Sequence, residues 1–466
     1  MKQRVMCLIL LLFLPALTWS QQKYWIFFRD KGLTEAQEST MKMQAKAAFS
    51  QHALERRAKM FPKNQLITED DLPLFAPYLQ RLAAMKVEPI VQSRWLNAIS
   101  AMLNAPLRQA VEALPFVREV RLVARYARPM PMDEPLRTLP KVQAYQIDYG
   151  PSLTQNAIMH VPEVHELGLD GSGVVIGMLD TGFDYKYHEA FSQLRVKAEY
   201  DFINQDSVTT NEDKNKDASS QHNHGTYTLS AIGGFAEGRL VGPAYGATYL
   251  LAKTEVVPTE TPIEEDYWVA GLEWLERLGA DVVNSSLGYL DWYTYENMDG
   301  QTAVTTIAAD KAVLKGVVVV NSMGNEGNSS WHYMIAPADG FNVIAVGAVY
   351  STGDIVSFSS RGPTYDGRVK PDVVAMGAGV HVAEASTVDS YRQISGTSLS
   401  SPLTAGVAAL VLQAHPYLTP FEVRDALRNT ADRVQMPDND YGWGLINAQE
   451  AIFYHGLFFS RMPKIE

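Results

Sequence analysis

A serine, a histidine, an aspartate and an asparagine stand in this chain where buried elements would begin or end, a set of residue types suited to nucleophilic attack on a carbonyl. Ser398 lies in Ser395-Gly396-Thr397-Ser398-Leu399-Ser400-Ser401-Pro402, ahead of an almost unbroken apolar run from Leu403 to Leu412. That run predicts a buried helix after Pro402, with free N–H groups and the positive end of its dipole near the serine. Both favour the negative charge that develops when a serine attacks a carbonyl; the plain alternative is an N-cap. Asp180 ends Gly173-Val174-Val175-Ile176-Gly177-Met178-Leu179, a β-branched run that predicts a buried parallel strand. Sites in open α/β sheets form beyond the carboxyl ends of such strands, although Asp180 alone would read equally well as a turn residue. His224, in Asn223-His224-Gly225-Thr226, precedes small apolar residues that predict a tightly packed helix with His224 at its exposed entrance. His222 competes for the same role. Asn325 follows Val317-Val318-Val319-Val320, a second buried strand, and its amide either faces an oxyanion or only shapes a turn.

The chemistry needs all four. A serine hydroxyl is a poor nucleophile at its ordinary pKa, so a neutral imidazole must take its proton during attack. A carboxylate on the other ring nitrogen fixes the tautomer and stabilises the imidazolium. An amide N–H and the serine's own backbone N–H hold the oxyanion.

In the order Asp180, His224, Asn325, Ser398 these motifs resemble those of the subtilisin-like serine proteases, whose triad runs Asp, His, Ser along the chain. The resemblance extends through Val282-Val283-Asn284-Ser285-Ser286-Leu287-Gly288, Phe358-Ser359-Ser360-Arg361-Gly362-Pro363, Lys370-Pro371-Asp372-Val373 and Tyr441-Gly442-Trp443-Gly444-Leu445-Ile446-Asn447-Ala448, roughly from Gly150 to Phe453. It implies a three-layer α/β/α domain with a mainly parallel sheet and a serine endopeptidase working through an acyl-enzyme on protein or peptide substrates. It further implies a specificity pocket between Ser286-Leu287-Gly288 and Ser322-Met323-Gly324, made apolar by Met323 and Ile335 and suited to medium or large apolar side chains. A cis bond at Ala336-Pro337 is expected on the same ground. Two positions depart from the pattern: Tyr227 replaces a common histidine, and Leu399 replaces the methionine that commonly follows the nucleophile. Neither position moves a proton, and Leu399 carries no thioether to oxidise.

The chain has 466 residues, suited to one large domain and a smaller one. Residues 1–20 read as a signal peptide: Lys2 and Arg4, then Leu8-Ile9-Leu10-Leu11-Leu12-Phe13-Leu14, then Thr18-Trp19-Ser20. The apolar run is shorter than the about 20 residues a membrane span needs, and no later stretch qualifies. A secreted or periplasmic product is expected. The single cysteine, Cys7, would leave with the signal. The assignment continues with a propeptide-like α+β domain over 21–125, a linker over 126–147 holding Pro129, Pro131, Pro135 and Pro140, a peptidase domain over 148–453 and a short tail over 454–466.

Within the N-terminal domain, strands are predicted at Tyr24–Phe28, Trp95–Leu103 and Val117–Val123, with helices at Thr34–Ala58 and Pro106–Leu114. Residues 1–140 hold 20 Lys+Arg against 12 Asp+Glu, and residues 141–466 hold 20 against 40. A basic segment joined to an acidic remainder predicts attraction between the two. Its cations are scattered, not clustered, which argues against nucleic-acid binding. Such a unit resembles the propeptide that assists folding of these proteases and then blocks the active site, making the chain a zymogen inhibited by its own propeptide; a permanent accessory domain is the alternative. No cofactor is needed for the chemistry and no metal-ligand set is assigned. Structural calcium is implied as an option by the family, with Asn211-Glu212-Asp213-Lys214-Asn215-Lys216-Asp217 as a loop of alternating oxygens that, interrupted by two lysines, reads more readily as a solvated charge run. Glu255, Glu264, Glu265 and Asp266 are expected either as an acidic rim to the cleft or as exposed carboxylates at a helix start. The rivals from other classes are a binding protein on the protease scaffold and an esterase or amidase. Four intact catalytic positions oppose the first, and an extended strand at Asn284–Gly288, fit to pair with a peptide backbone, opposes the second.

Overall fold

The computed structural model describes residues 21–123, 145–212, 217–257, 263–290 and 292–458. The N-terminal unit runs β1 (Gln22–Phe28), α1 (Glu35–Ala45), α2 (Gln51–Arg57), α3 (Ala76–Ala84), β2 (Val91–Ser93), β3 (Ala98–Leu103), α4 (Ala105–Glu112) and β4 (Val117–Val123). Its antiparallel sheet has the order β2-β3-β1-β4. Successive side chains of a strand point to opposite faces, and β1 uses both. Tyr24, Ile26 and Phe28 pack with Leu82 and Val111 under the unit's own helices. Trp25 and Phe27 pack into the larger unit.

That larger unit opens with α5 (Leu153–Ala157), α6 (Val161–His165), β5 (Val175–Asp180), β6 (Arg195–Asp201), α7 (Asn223–Gly233), β7 (Phe235–Ala236), β8 (Leu240–Val241) and β9 (Thr248–Lys253). It continues with α8 (Ile263–Leu278), β10 (Val282–Ser285), α9 (Val304–Leu314), β11 (Val318–Ser322), β12 (Ile344–Val349) and β13 (Val373–Met376). The chain then forms β14 (Val380–Ala383), β15 (Tyr391–Ile394), α10 (Thr397–Ala414), α11 (Pro420–Asn429) and α12 (Ala448–Phe453). Seven strands form one sheet in the order β13-β12-β11-β10-β5-β9-β6, with every described pairing parallel. Such a sheet is buried on both faces. Ile176 and Met178 of β5 join the core under α7 and α10, and Val175 and Leu179 join the core under α8 and α9. The three-layer α/β/α architecture and the smaller α+β N-terminal unit follow the sequence expectation; the antiparallel strand order of the latter is a finding of the structure.

Local departures have tertiary causes. The helix expected over Thr34–Ala58 is broken at Phe49-Ser50, because the Ser50 N–H donates to Arg277 O at 3.0 Å and its Oγ donates to Leu278 O at 2.9 Å, at the end of α8. The strand expected from Trp95 begins only at Ala98. Residues 94–97 form a turn held by Glu273, which accepts from the Trp95 N–H at 3.1 Å and from Ser93 Oγ, at the end of β2, at 2.6 Å. The helix after Ser398 starts before Pro402, which lies inside α10. The Ala336–Pro337 bond is cis, as expected. Most of the 126–147 linker and residues 459–466 of the tail, like residues 1–20, lie outside the described residues.

Candidate active site

Strand β5 delivers Asp180 to the carboxyl edge of the sheet, where it is fully buried. Its Oδ1 accepts from the Thr181 N–H at 2.8 Å and its Oδ2 from Thr228 Oγ1 at 2.9 Å. His224 Nδ1 lies 2.6 Å from Oδ1. A buried carboxylate needs such donors, and here they also aim the imidazole. Helix α7 reaches this close because Gly225 has no side chain: a Cβ there would lie 2.1 Å from the Gly182 carbonyl oxygen. His224 is the second residue of α7 and only 8% exposed, not a residue at an open helix entrance. Its Nε2 is buried without a hydrogen-bond partner among the described residues.

His222, the competing histidine, is occupied elsewhere. Its Nδ1 is 2.9 Å from Thr210 Oγ1 and its Nε2 3.0 Å from Ser386 Oγ, so it ties two loops together. Burial lowers its pKa and favours the neutral ring.

Ser398 is the second residue of α10. Pro402 has no N–H, so the Ser398 carbonyl four residues earlier has no helical donor. Ser286 Oγ takes that place, donating to Ser398 O at 2.8 Å. In return Ser398 Oγ donates to Ser286 O at 3.2 Å. The proline thus binds the turn at Ser398 to the segment just beyond β10. Asn325 is set by the neighbouring residue of the same turn: its Oδ1 accepts from the Thr397 N–H at 2.9 Å and from Thr397 Oγ1 at 3.0 Å. With Oδ1 committed, Nδ2 is the end available to donate to an oxyanion. Thr397 Oγ1 also accepts from the Gly324 N–H at 3.2 Å.

The two expected pocket segments lie side by side, joined by Asn321 Nδ2 donating to Leu287 O at 3.1 Å. The side chains of Leu287 and Met323 both enter hydrophobic cores, Leu287 beside Trp268 and Met323 beside Met298 and Met334. Ser322 lies at the end of β11, fully inside the sheet. Thr181, Thr228 and Thr397 carry polar contacts that motif spacing did not single out; a hydroxyl one helical turn after His224 is the signal that could have found Thr228.

The carboxylates expected at a cleft rim or an exposed helix start are buried instead. Glu255 meets the Tyr289 hydroxyl at 3.0 Å. Glu265 accepts from Tyr293 Oη at 2.8 Å and Trp292 Nε1 at 3.0 Å. Asp266 pairs with Lys23 of the N-terminal unit at 2.5 Å, and Glu264 is equally covered. The N-terminal unit roofs this end of α8, so its carboxylates are neither a rim nor solvated. In the candidate calcium loop, residues 213–216 lie outside the described residues. Asp217 Oδ1 accepts from Lys253 Nζ at 2.7 Å and Oδ2 from the Glu212 N–H at 2.9 Å. No group of three or more metal-ligating side chains occurs among the described residues, and no described helix is long and apolar enough to cross a membrane.

Residues 171–444 match the model of the subtilase family, and residues 23–135 match that of the peptidase S8 propeptide domain of Bacteroidota. Subtilisin E of Bacillus subtilis is 30% identical over 77% of the chain and 82% of its own length. Serine protease AprX of the same species is 30% identical over 64% of the chain and 71% of its own. Among solved structures, fervidolysin of Fervidobacterium pennivorans, described as a keratinolytic enzyme related to subtilisin, superposes with a TM-score of 0.66 at 22% identity. That likeness concerns the fold; it covers 93% of this chain, which spans 61% of fervidolysin's length.

Proposed function

The chain belongs to the subtilase family of serine peptidases and carries its propeptide domain, and from that premise we propose a secreted zymogen whose Asp180, His224 and Ser398 hydrolyse peptide bonds through an acyl-enzyme. The observation that carries this is the 2.6 Å contact of His224 Nδ1 with Asp180, which leaves a buried Nε2 without a described partner. His224 Nε2 takes the proton of Ser398 Oγ as that oxygen attacks the scissile carbonyl. Asp180 holds the tautomer and stabilises the imidazolium. Asn325 Nδ2 and the Ser398 N–H stabilise the oxyanion, the second with the help of the α10 dipole. His224 then protonates the leaving amine, and water releases the acyl group by the reverse proton path. Beyond β10 the segment 286–288 offers extended backbone to a peptide strand.

The N-terminal unit acts as the inhibitor. Trp25 and Phe27 of its sheet and Trp95 of the turn before β3 pack against α8 and α9, and β4 ends at Val123, just ahead of the linker with Arg128 and Arg137. The unit is cut away in that linker, and the signal-like residues 1–20 direct the chain out of the cell. The deciding experiment is the intact mass of secreted wild type beside Ser398→Ala. A shortened wild type and a mutant retaining residues 21–466 is the expected result. Equal masses, with no peptide hydrolysis by the wild type, would reject the reading.

A further inference from the structure

The slot between the two pocket segments is already filled by a side chain of the protein. Ile335, 4% exposed, lies between Gly288 and Gly324. A Cβ on Gly288 would stand 2.4 Å from Ile335 Cδ1 and 2.5 Å from Cγ1, and a Cβ on Gly324 would stand 3.1 Å from Cγ1. A side chain on Gly288 would collide with Ile335, and Gly324, held at φ +102°, leaves it no spare room on the other side. Leu287 and Met323 turn into separate cores and contribute nothing to the filling. The slot adjoins the nucleophile, since one wall is bonded to Ser398 through Ser286 and the other to Thr397 through Gly324.

We propose that Ile335 plugs the primary specificity pocket, so that this peptidase cleaves after small residues (glycine, alanine, serine) and excludes large apolar ones there. The inference rests on the peptidase reading above and replaces the preference for medium or large side chains expected from sequence. Ile335 cannot readily swing aside. Its N–H donates to Met323 O at 3.3 Å, and Ala338 N–H donates back to Ile335 O at 2.9 Å. The next residue is stapled to the far wall: Ala336 N–H donates to Tyr289 O at 3.0 Å and Tyr289 N–H to Ala336 O at 2.8 Å. A β-branched side chain on a clamped backbone has few rotamers to offer. A phenyl ring entering the slot would overlap Cγ1 and Cδ1, whereas a methyl group reaches less far into it.

The test is a series of peptide substrates identical except for Ala, Leu or Phe at the residue supplying the scissile carbonyl. The full chain is used as it comes from expression, with casein hydrolysis and its loss in Ser398→Ala as controls. Wild type should favour Ala over Phe in kcat/KM by about tenfold or more, the scale on which apolar pockets discriminate. Ile335→Gly should raise kcat/KM for Phe at least about tenfold, and Ile335→Ala should raise that for Leu. Ser398-dependent casein hydrolysis with wild type preferring Phe overturns the plug and leaves the peptidase reading intact. A folded Ile335→Gly with an unchanged profile overturns it too. If neither variant folds, the wild-type preference alone decides, and absence of any Ser398-dependent cleavage removes both readings.

Discussion

Arg57 of the N-terminal unit and Glu276 at the end of α8 form a salt bridge across the boundary between the units, Nε to Oε1 at 2.7 Å, with neither side chain exposed. The same guanidinium grips Asp71 at 2.6 and 2.8 Å. Its neighbour Arg56 also pairs with Glu276 and donates to Ala280 O at 2.6 Å. Hydrophobic packing holds the N-terminal sheet on α8 and α9, and this buried pairing fixes its position. Removing Arg57 leaves Glu276 with Arg56 and Asp71 with Lys315, so the cost is smaller than the about 3–5 kcal/mol of a buried charge left wholly unpaired. Arg57→Ala in the Ser398→Ala background should lower Tm by several degrees and, after cleavage of the linker, release the N-terminal unit on size-exclusion chromatography. Co-elution at the wild-type Tm would show that the packing suffices alone.

The same boundary has a pH signature. Burial pushes the Glu265 carboxyl up to about 7. An unfolded glutamate titrates near about 4.3, so between those values the folded chain holds a proton that the unfolded chain has lost. Stability from this group is therefore present at low pH and declines as pH rises through about 7. In unprocessed Ser398→Ala protein, a further Glu265→Gln substitution should be more stable than its parent at pH 8, by roughly 4 kcal/mol at most at 1.36 kcal/mol per unit. The gain should vanish near pH 4.5. Chemical denaturation at the two pH values measures it, and a pH-independent difference would refute the titration.

Asn325 supplies the proposed side-chain oxyanion donor, and Thr397 orients it through two bonds to Oδ1. In subtilisin, loss of such an asparagine donor lowers turnover about 10²–10³-fold. Asn325→Ala should lose kcat by that factor with KM little changed. Thr397→Val, which keeps the N–H bond and drops the hydroxyl, should lose less. Steady-state kinetics on one peptide substrate separates the two, and near-normal turnover of Asn325→Ala would remove it from the role.

Lys253 stands where a cation is expected beside the 211–217 loop. Its buried ammonium lies 2.8 Å from Asp201 and 2.7 Å from Asp217, so a lysine neutralises the acids that an ion would otherwise bridge. A chelator should leave Tm unchanged. Lys253→Met should lower Tm by several degrees, since two buried carboxylates lose their partner. A chelator-induced fall in Tm would place a calcium ion in this protein after all.

Much of this architecture was legible in the residues themselves. The apolar runs ending at Asp180 and before Asn325 are fully buried strands, and strands buried on both faces must read that way. The Leu403–Leu412 run marks α10 for the same reason, and the short aromatic and apolar run Tyr24–Phe28 marks β1. These signals are local: each depends on a few consecutive side chains meeting apolar surroundings. What remained open depended on residues far apart in sequence. His222 and His224 are alike in local context, and only the approach of α7 to β5, permitted by Gly225 against Gly182, gives the carboxylate to His224. The acidic start of α8 looked solvated because no local pattern reveals that Lys23, some 240 residues earlier, would cover it. The helix over Thr34–Ala58 looked continuous because the bonds that break it at Ser50 come from Arg277 and Leu278. Ile335 looked like one more apolar pocket residue, yet packing is a property of volume shared among distant segments. Whether an isoleucine lines a slot or fills it was decided only when Gly288 and Gly324 closed on either side.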